Sequence, residues 1–210
     1  KSRVIQNAIE PIEYVPKSKD KIKLIYHTTP HRGLNILVPV FIKLAEKYDN
    51  IELDVFSSFN IYGWPDRDKP FEQLFDACRE HPQINYHGFQ PNDVVRKALQ
   101  EAHIFAYPSI WLETSCRAML EAMSAGLVCV HPNFGALPET SGGLNIMYQG
   151  NFEDKNAHAN IFINHLNASI TFVRENNHDS MIRFNKVFAD GRYNIDRIKN
   201  QWDMMLNGLL

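Results

Sequence analysis

Residues 108–126 read PSIWLETSCRAMLEAMSAG, and this stretch decides how the chain is to be folded. It follows HIFAYPS (103–109), an apolar run stopped by proline, as expected of a parallel strand covered on both faces. A polar turn comes next, and then Ala118, Met119, Ala122, Met123 and Ala125 draw a narrow apolar stripe on a helix ended by Gly126. Strand, turn and helix follow one another within a few residues. The first amides of such a helix have no internal acceptors and the dipole makes that end positive, so the turn around Thr114, Ser115 and Cys116 is suited to a phosphate. Glu113 and Glu121 stand eight positions apart. With both on the helix their backbones would be roughly 12 Å apart, wider than the roughly 5–9.5 Å of paired glycosidase carboxylates. That spacing suits two ends of an extended ligand, although a helix-start charge at Glu113 and a solvated or paired Glu121 fit it equally well.

The same alternation extends outward in both directions. Apolar runs at KIKLIY (21–26), IELDVFSS (51–58), INYHG (84–88), LVCVHP (127–132) and LNIMY (144–148) interleave with helical periodicity, the pattern of an α/β fold built on a parallel sheet. Leu34, Leu37, Phe41, Leu44 and Tyr48 share one helical face, and Pro39 is expected to bend that helix. Phe71, Leu74, Phe75 and Cys78 begin the next helix, and Asn92 is a candidate N-cap for a third with a face of Val94, Val95, Ala98 and Leu99. NFGALPETSGG (133–143) reads as a loop. From Asn156 on, three helical patterns follow, carrying Ile161, Ile163, Leu166, Ile170 and Val173, then residues 180–188, then Ile195 through Leu206. Residues 1–20, with two prolines and a charged tail, read as a connector with one short strand at most, which leaves 21–210 as the folded unit.

Composition narrows the function. A net charge of −2 with no basic stripe gives no case for nucleic acid, and no apolar run reaches transmembrane length or resembles a signal peptide. Cys78, Cys116 and Cys129 lack metal or disulfide spacing, so reduced thiols in a cytoplasmic protein are expected. Opening on Lys1 rather than methionine is expected of a piece of a longer protein.

In an open parallel sheet, ligands sit beyond the carboxyl ends of the strands. The loops there carry His27, Thr28, Thr29, His31 and Arg32, then Ser57 and Ser58, then Phe89 and Gln90, then Glu113 to Cys116, then 133–140. An extended anion with hydroxyls would match this set: Arg32 and helix amides for phosphate, a glutamate for vicinal hydroxyls, main chain near Phe89 for a flat base. Other roles stand beside these. Phe89 can plug a sheet edge, Trp111 and Trp202 can pack, Glu139 can start a helix, and His31 can be an exposed loop residue. DRD at 66–68 has the form of a metal motif but lies in a proline-rich loop, where it reads as a solvated turn. The dipole could lower the Cys116 thiol pKa, yet no orienting histidine accompanies it for nucleophilic catalysis.

RGL opening the first helix, HGF before the third, YPS followed by ETSCRAMLE, and FGALPET after the next strand together resemble the C-terminal, donor-binding half of a GT-B glycosyltransferase of the retaining family 4 type. The resemblance covers about 3–143, with weaker agreement at Tyr193 and Trp202, and VIQNAIEP (4–11) resembles the family's interdomain connector apart from Gln6 and Ala8. It implies a Rossmann-like three-layer parallel sheet with helices on both faces, plus C-terminal helices. It assigns Glu121 to the ribose of a nucleoside diphosphate sugar, Glu113 to the donor sugar, the Thr114–Ser115–Cys116 turn to sugar and phosphates, and Arg32, where lysine is usual, to the diphosphate. Phe89 flanks the base. Tyr26 and His27 stand where the family has a glycine–arginine pair, so a charge from His27 depends on its protonation. The implied activity is retaining hexosyl transfer with no metal or other cofactor. The implied partners are the donor, an unidentified acceptor and an N-terminal domain that this stretch does not contain, through which any peripheral membrane association would come. A non-catalytic nucleotide-sugar-binding scaffold is the alternative.

Overall fold

The computed structural model describes residues 4–208. Six strands form one parallel sheet: β1 (Ile22–Tyr26), β2 (Ile51–Val55), β3 (Ile84–Tyr86), β4 (Ile104–Ala106), β5 (Val128–Pro132) and β6 (Ile146–Tyr148), in the order β3-β2-β1-β4-β5-β6. β4 and β5 are buried along their whole length, which is why they read as continuous apolar runs rather than alternating ones. Registers such as Leu24 with Ile104 and Ile104 with Val128 place the carboxyl ends of the central strands on one edge.

Among the described residues, eight α-helices accompany the sheet. α1 (Leu34–Ala45), α2 (Glu72–Glu80) and α6 (Lys155–Arg174) lie on one face; α3 (Asn92–Glu101), α4 (Arg117–Ser124) and α7 (Asp179–Arg192) lie on the other, with α1 packed on α6 and α4 on α7. A short α5 (Leu137–Ser141) precedes β6, and α8 (Ile195–Leu206) closes the chain with only Ile198 buried. The expected Rossmann-like, three-layer architecture is therefore present.

Several local expectations need correction. α1 continues through the exposed Pro39, which withholds one intrahelical donor from the Asn35 carbonyl without ending the helix. The cap of α3 is Pro91 with no side-chain bond, Asn92 being already helical, and Val94 is exposed while Val95 and Leu99 are buried. The 133–143 loop contains α5, and the β2–α2 connection contains two 3-10 turns at Phe59–Tyr62 and Pro65–Phe71. Asp68 is not a solvated turn residue: its carboxylate accepts from the Phe59 amide (2.8 Å) and the Ser58 hydroxyl, tying the two turns together.

The segment set apart as a connector docks firmly. Ile9 and Ile12 are buried, Ile9 exchanges main-chain bonds with Tyr193 and Ile195, and the Ile12 amide donates to Ser124 Oγ at the end of α4. Lys17 donates to the carbonyls of Leu99, Gln100 and Ala125, closing the C-terminal ends of α3 and α4.

Candidate functional site

β1 lies between β2 and β4, so the chain reverses its winding direction between β1 and β4, and a crevice opens beyond their carboxyl ends. A cleft of about 640 Å³ occupies it, with His27, Arg32, Phe89, Ser115, Cys116 and Glu121 in its walls. A larger groove, about 760 Å³, lies between α1 and residues 70–77. Its walls are mainly apolar and away from the strand ends, so the cleft with convergent polar groups is the candidate site.

Behind the Arg32 wall of the cleft is a network around Glu113, which does not itself line the cleft. This residue is not on α4; it lies in the loop before it, so the 12 Å estimate from helical rise does not apply. Its side chain is 4% exposed and accepts from Arg32 Nη1 at 2.6 Å and from the Tyr107 hydroxyl. Arg32 Nε donates to Thr29 Oγ1 at 3.1 Å, and the Tyr26 hydroxyl donates to the Thr29 carbonyl at 2.9 Å. Burial works against the Arg32 charge, but Glu113 and Tyr107 more than offset it and raise its pKa. Burial, reinforced by the nearby acidic groups, pushes the Tyr107 hydroxyl well above its ordinary range, so it acts as a donor.

Two glycines make this network possible. Gly33 has φ +133°, and a Cβ there would lie 2.3 Å from the Pro108 carbonyl oxygen; the Ile110 amide bonds the Arg32 carbonyl at 3.1 Å beside it. The β1 loop therefore touches the β4 loop through bare backbone. Gly135, φ +56°, does the same on the other flank, where a Cβ would sit 2.8 Å from the Glu113 amide nitrogen and carbonyl oxygen, next to the 2.8 Å bond from the Ala136 amide to Glu113.

On the other side are His27, Glu121 and the start of α4. The His27 ring is 4% exposed, packs on Phe105 and lies with Nε2 3.8 Å from Glu121 Oε2. Neither ring nitrogen has a hydrogen-bond partner, and burial lowers its pKa to about 4, the Ala118 backbone opposing this weakly. His27 is therefore neutral at pH 7 and supplies a dipole rather than a charge. Burial raises the Glu121 pKa, with Arg117 and Arg96 acting in the other direction. α4 has no side-chain hydrogen bond at its N-cap, and Arg117 and Ala118 of its first turn line the cleft. Ser115 Oγ there is buried and unpartnered.

The remaining candidates divide. Phe89 is exposed on the cleft wall rather than plugging the sheet edge, whereas Thr114 is exposed outside it. Burial pushes the Cys116 thiol up to about 12, opposite to the lowering expected from the helix dipole, so it is no nucleophile and offers only its main chain. His31 is not an exposed loop residue; it stacks on Phe59 and meets Trp111 edge-on, and burial lowers its pKa. Trp111 and Trp202 are both about half exposed, with Trp111 facing the Arg32 guanidinium at 5.7 Å. Glu139 lies in the first turn of α5 and accepts from Gln6 Nε2 at 3.3 Å. Sequence reasoning missed Tyr107, Gly135 and Arg117 as members of the site. Tyr107 ends an apolar run and looks like core, but Arg117 carried a signal, a cation in the first turn of a helix.

Residues 7–168 match the family of group 1 glycosyl transferases, more than half of the chain. The chain belongs to the group 1 glycosyltransferases. Among curated proteins, the family relatives include a phosphatidylinositol N-acetylglucosaminyltransferase subunit of Homo sapiens, 27% identical over 141 residues, covering 65% of this chain and 28% of that protein. Its Arabidopsis thaliana counterpart is 27% identical over 142 residues, covering 65% of this chain and 30% of that one. The chain thus spans about a third of the curated relatives it matches. Among solved structures, sucrose-phosphate synthase of Thermosynechococcus elongatus superposes with a TM-score of 0.74 at 17% identity, over 99% of this chain and 52% of that one. Anabaena HepE with UDP and glucose gives 0.63 at 17% identity over 90% and 48%, and the pneumococcal O-GlcNAc transferase GtfA with UDP and GlcNAc gives 0.66 at 14% over 95% and 38%. These likenesses establish the GT-B-like fold of this group 1 domain.

Proposed function

We propose that this domain is the donor-binding half of a retaining glycosyltransferase of the family 4 type, which holds a nucleoside diphosphate sugar and supports transfer of its hexosyl unit to an acceptor. The observation that carries the reading is the meeting, at one crevice, of an uncapped helix start, an unpartnered buried histidine, the buried Glu121 and Arg32, which is held in the wall by the buried Glu113. Solved neighbours bound to UDP with glucose or GlcNAc, and relatives named as N-acetylglucosaminyltransferase subunits, support it. Glu121 accepts the ribose hydroxyls, Phe89 flanks the base, and the Ser115 and Cys116 main chain receives the phosphates. Arg32 and the α4 amides stabilise the departing diphosphate electrostatically, a contribution of several kcal/mol when such donors are preorganised. Glu113, clamped by Arg32 and Tyr107, contacts the donor sugar. No metal takes part in this reading, and a second α/β domain of the same cytoplasmic protein supplies the acceptor side.

Calorimetric titration of nucleoside diphosphates and their sugars tests the donor assignment, and Glu121→Gln is expected to weaken nucleotide binding. In the full-length protein, Glu113→Ala is expected to abolish transfer while nucleotide binding persists. Transfer unaffected by Glu113→Ala would replace the enzyme by a nucleotide-sugar-binding scaffold. Robust transfer by the 210 residues alone would overturn the division of labour between two domains.

A further inference from the structure

Arg117 begins α4, where a cation faces the positive end of the helix dipole. Its only ionic partner among the described residues is Glu121, four positions later, with Nη2 3.6 Å from Oε1, too long for a hydrogen bond. The order of the pair, cation before carboxylate, is also the weaker one on a helix. The Arg117 side chain is 60% exposed, lines the cleft at the start of α4, and makes no hydrogen bond to any described residue.

The charges of the site show what it lacks. Arg32 already donates through Nη1 and Nε to Glu113 and Thr29, which ties two of its five N–H groups to the protein and pairs its charge. His27 brings an unpartnered ring into the cleft but no charge, and Ser115 Oγ is a second buried polar atom without a partner there. Arg32 with Glu113 and Arg117 with Glu121 sum to zero, while a diphosphate ester brings two or more negative charges in a cleft whose screening by water is reduced. Among the described residues, Arg117 is the arginine of the cleft wall that donates no hydrogen bond, its guanidinium lying 3.6 Å from Glu121.

We infer that Arg117 is a donor-phosphate ligand: its guanidinium swings from Glu121 onto the diphosphate, and the released Glu121 carboxylate turns to the ribose hydroxyls. Phosphate and ribose recognition are then coupled through one ion pair, and the cleft prefers a diphosphate to the bare nucleoside by more than the helix amides alone provide. The inference rests on the donor-binding reading above and adds a residue to it.

Calorimetry on the 210-residue chain with UDP, GDP and ADP, and with the nucleoside matching the best binder, at low and at higher salt, tests both levels separately. Arg117→Gln is expected to weaken the best diphosphate by about tenfold or more while leaving the nucleoside within about twofold, and to flatten the salt dependence. Arg117→Lys, which keeps the charge but not the fork, falls between. The side chain is exposed, so far-UV circular dichroism of both variants should match the parent. Diphosphate affinity unchanged in Arg117→Gln overturns the inference, and so does an equal loss for nucleoside and diphosphate, which would place the effect on Glu121 alone. Failure of the parent chain to bind any of the three diphosphates removes the donor-binding reading and the inference with it.

Discussion

Replacing Gly33 by alanine tests how the two halves of the Glu113 site are held in register. The added Cβ would stand 2.3 Å from the Pro108 carbonyl oxygen, 2.9 Å from its carbon and 3.4 Å from Ser109 Cα, all main-chain atoms that cannot rotate away. The φ of +133° is itself unfavourable to any L side chain, a cost of order 1–3 kcal/mol. Relief of the overlap requires the β1 and β4 loops to part, and overpacking of this kind costs a further ~1–3 kcal/mol. Together these predict a loss of about 2–6 kcal/mol, or roughly 4–24 °C in Tm for a chain of this size. Parting the loops also stretches the Ile110 amide bond to the Arg32 carbonyl and separates Arg32 from Glu113. Urea unfolding of Gly33→Ala against the parent measures the first effect, and nucleotide titration of whatever folded fraction remains measures the second. A variant within about 0.5 kcal/mol of the parent would refute the reasoning, because it would mean that the two loops move apart without cost.

Tyr107→Phe removes one donor to the buried Glu113 carboxylate and is expected to cost about 1–3 kcal/mol in urea unfolding, with an unchanged stability arguing that Arg32 alone satisfies the group. Gly135→Ala places a Cβ 2.8 Å from Glu113 main-chain atoms at φ +56°, so in the full-length enzyme transfer should fall more than nucleotide affinity; parallel losses would contradict that. Lys17→Met leaves the Leu99, Gln100 and Ala125 carbonyls without their donor and should lower stability by about 1–3 kcal/mol, and a neutral result would mean that water replaces the ammonium freely. His27, His103 and His131 are held by burial at pKa values of about 4, below the 6.5 of an unfolded histidine. The unfolded chain therefore binds their protons first as pH falls, so stability is full above pH 6.5 and declines toward pH 4, by up to about 2 kcal/mol for each at pH 5. Glu121, raised by burial, acts with the opposite sign and offsets part of this. Equal stability at pH 7.5 and pH 5 would show that these rings are hydrated.

Much of the fold was legible because burial on both faces of a parallel sheet leaves a mark on the sequence itself. Continuous apolar runs such as IFAYP and VCV must alternate with helices that cover them, and all six such runs form strands. Boundaries were less legible. INYHG and HIFAYPS shrink to three-residue strands because pairing partners, not local apolarity, decide where a ladder stops. The docking of 4–20 was hidden for a similar reason: two isolated isoleucines and a lysine carry it, and their partners lie far away in sequence, at Ser124, Tyr193 and the ends of α3 and α4.

The site divides along the same line. Residue types and order alone determined an α/β fold and the set of strand-end loops in which His27, Arg32, Phe89 and Glu113 stand, with Glu121 on the helix after the last of them. Tertiary structure decided what each of them is. Glu113 is taken off the helix and locked to Arg32 and Tyr107, His27 is buried until it is neutral, Cys116 becomes an unreactive thiol, and Arg117 is left with open donors at the mouth of the cleft. The physical reason is that charge state and hydrogen-bond commitment depend on desolvation and on neighbours brought from 81 residues away, as in the Arg32–Glu113 pair. A local pattern records periodicity; it does not record what the folded chain places opposite it.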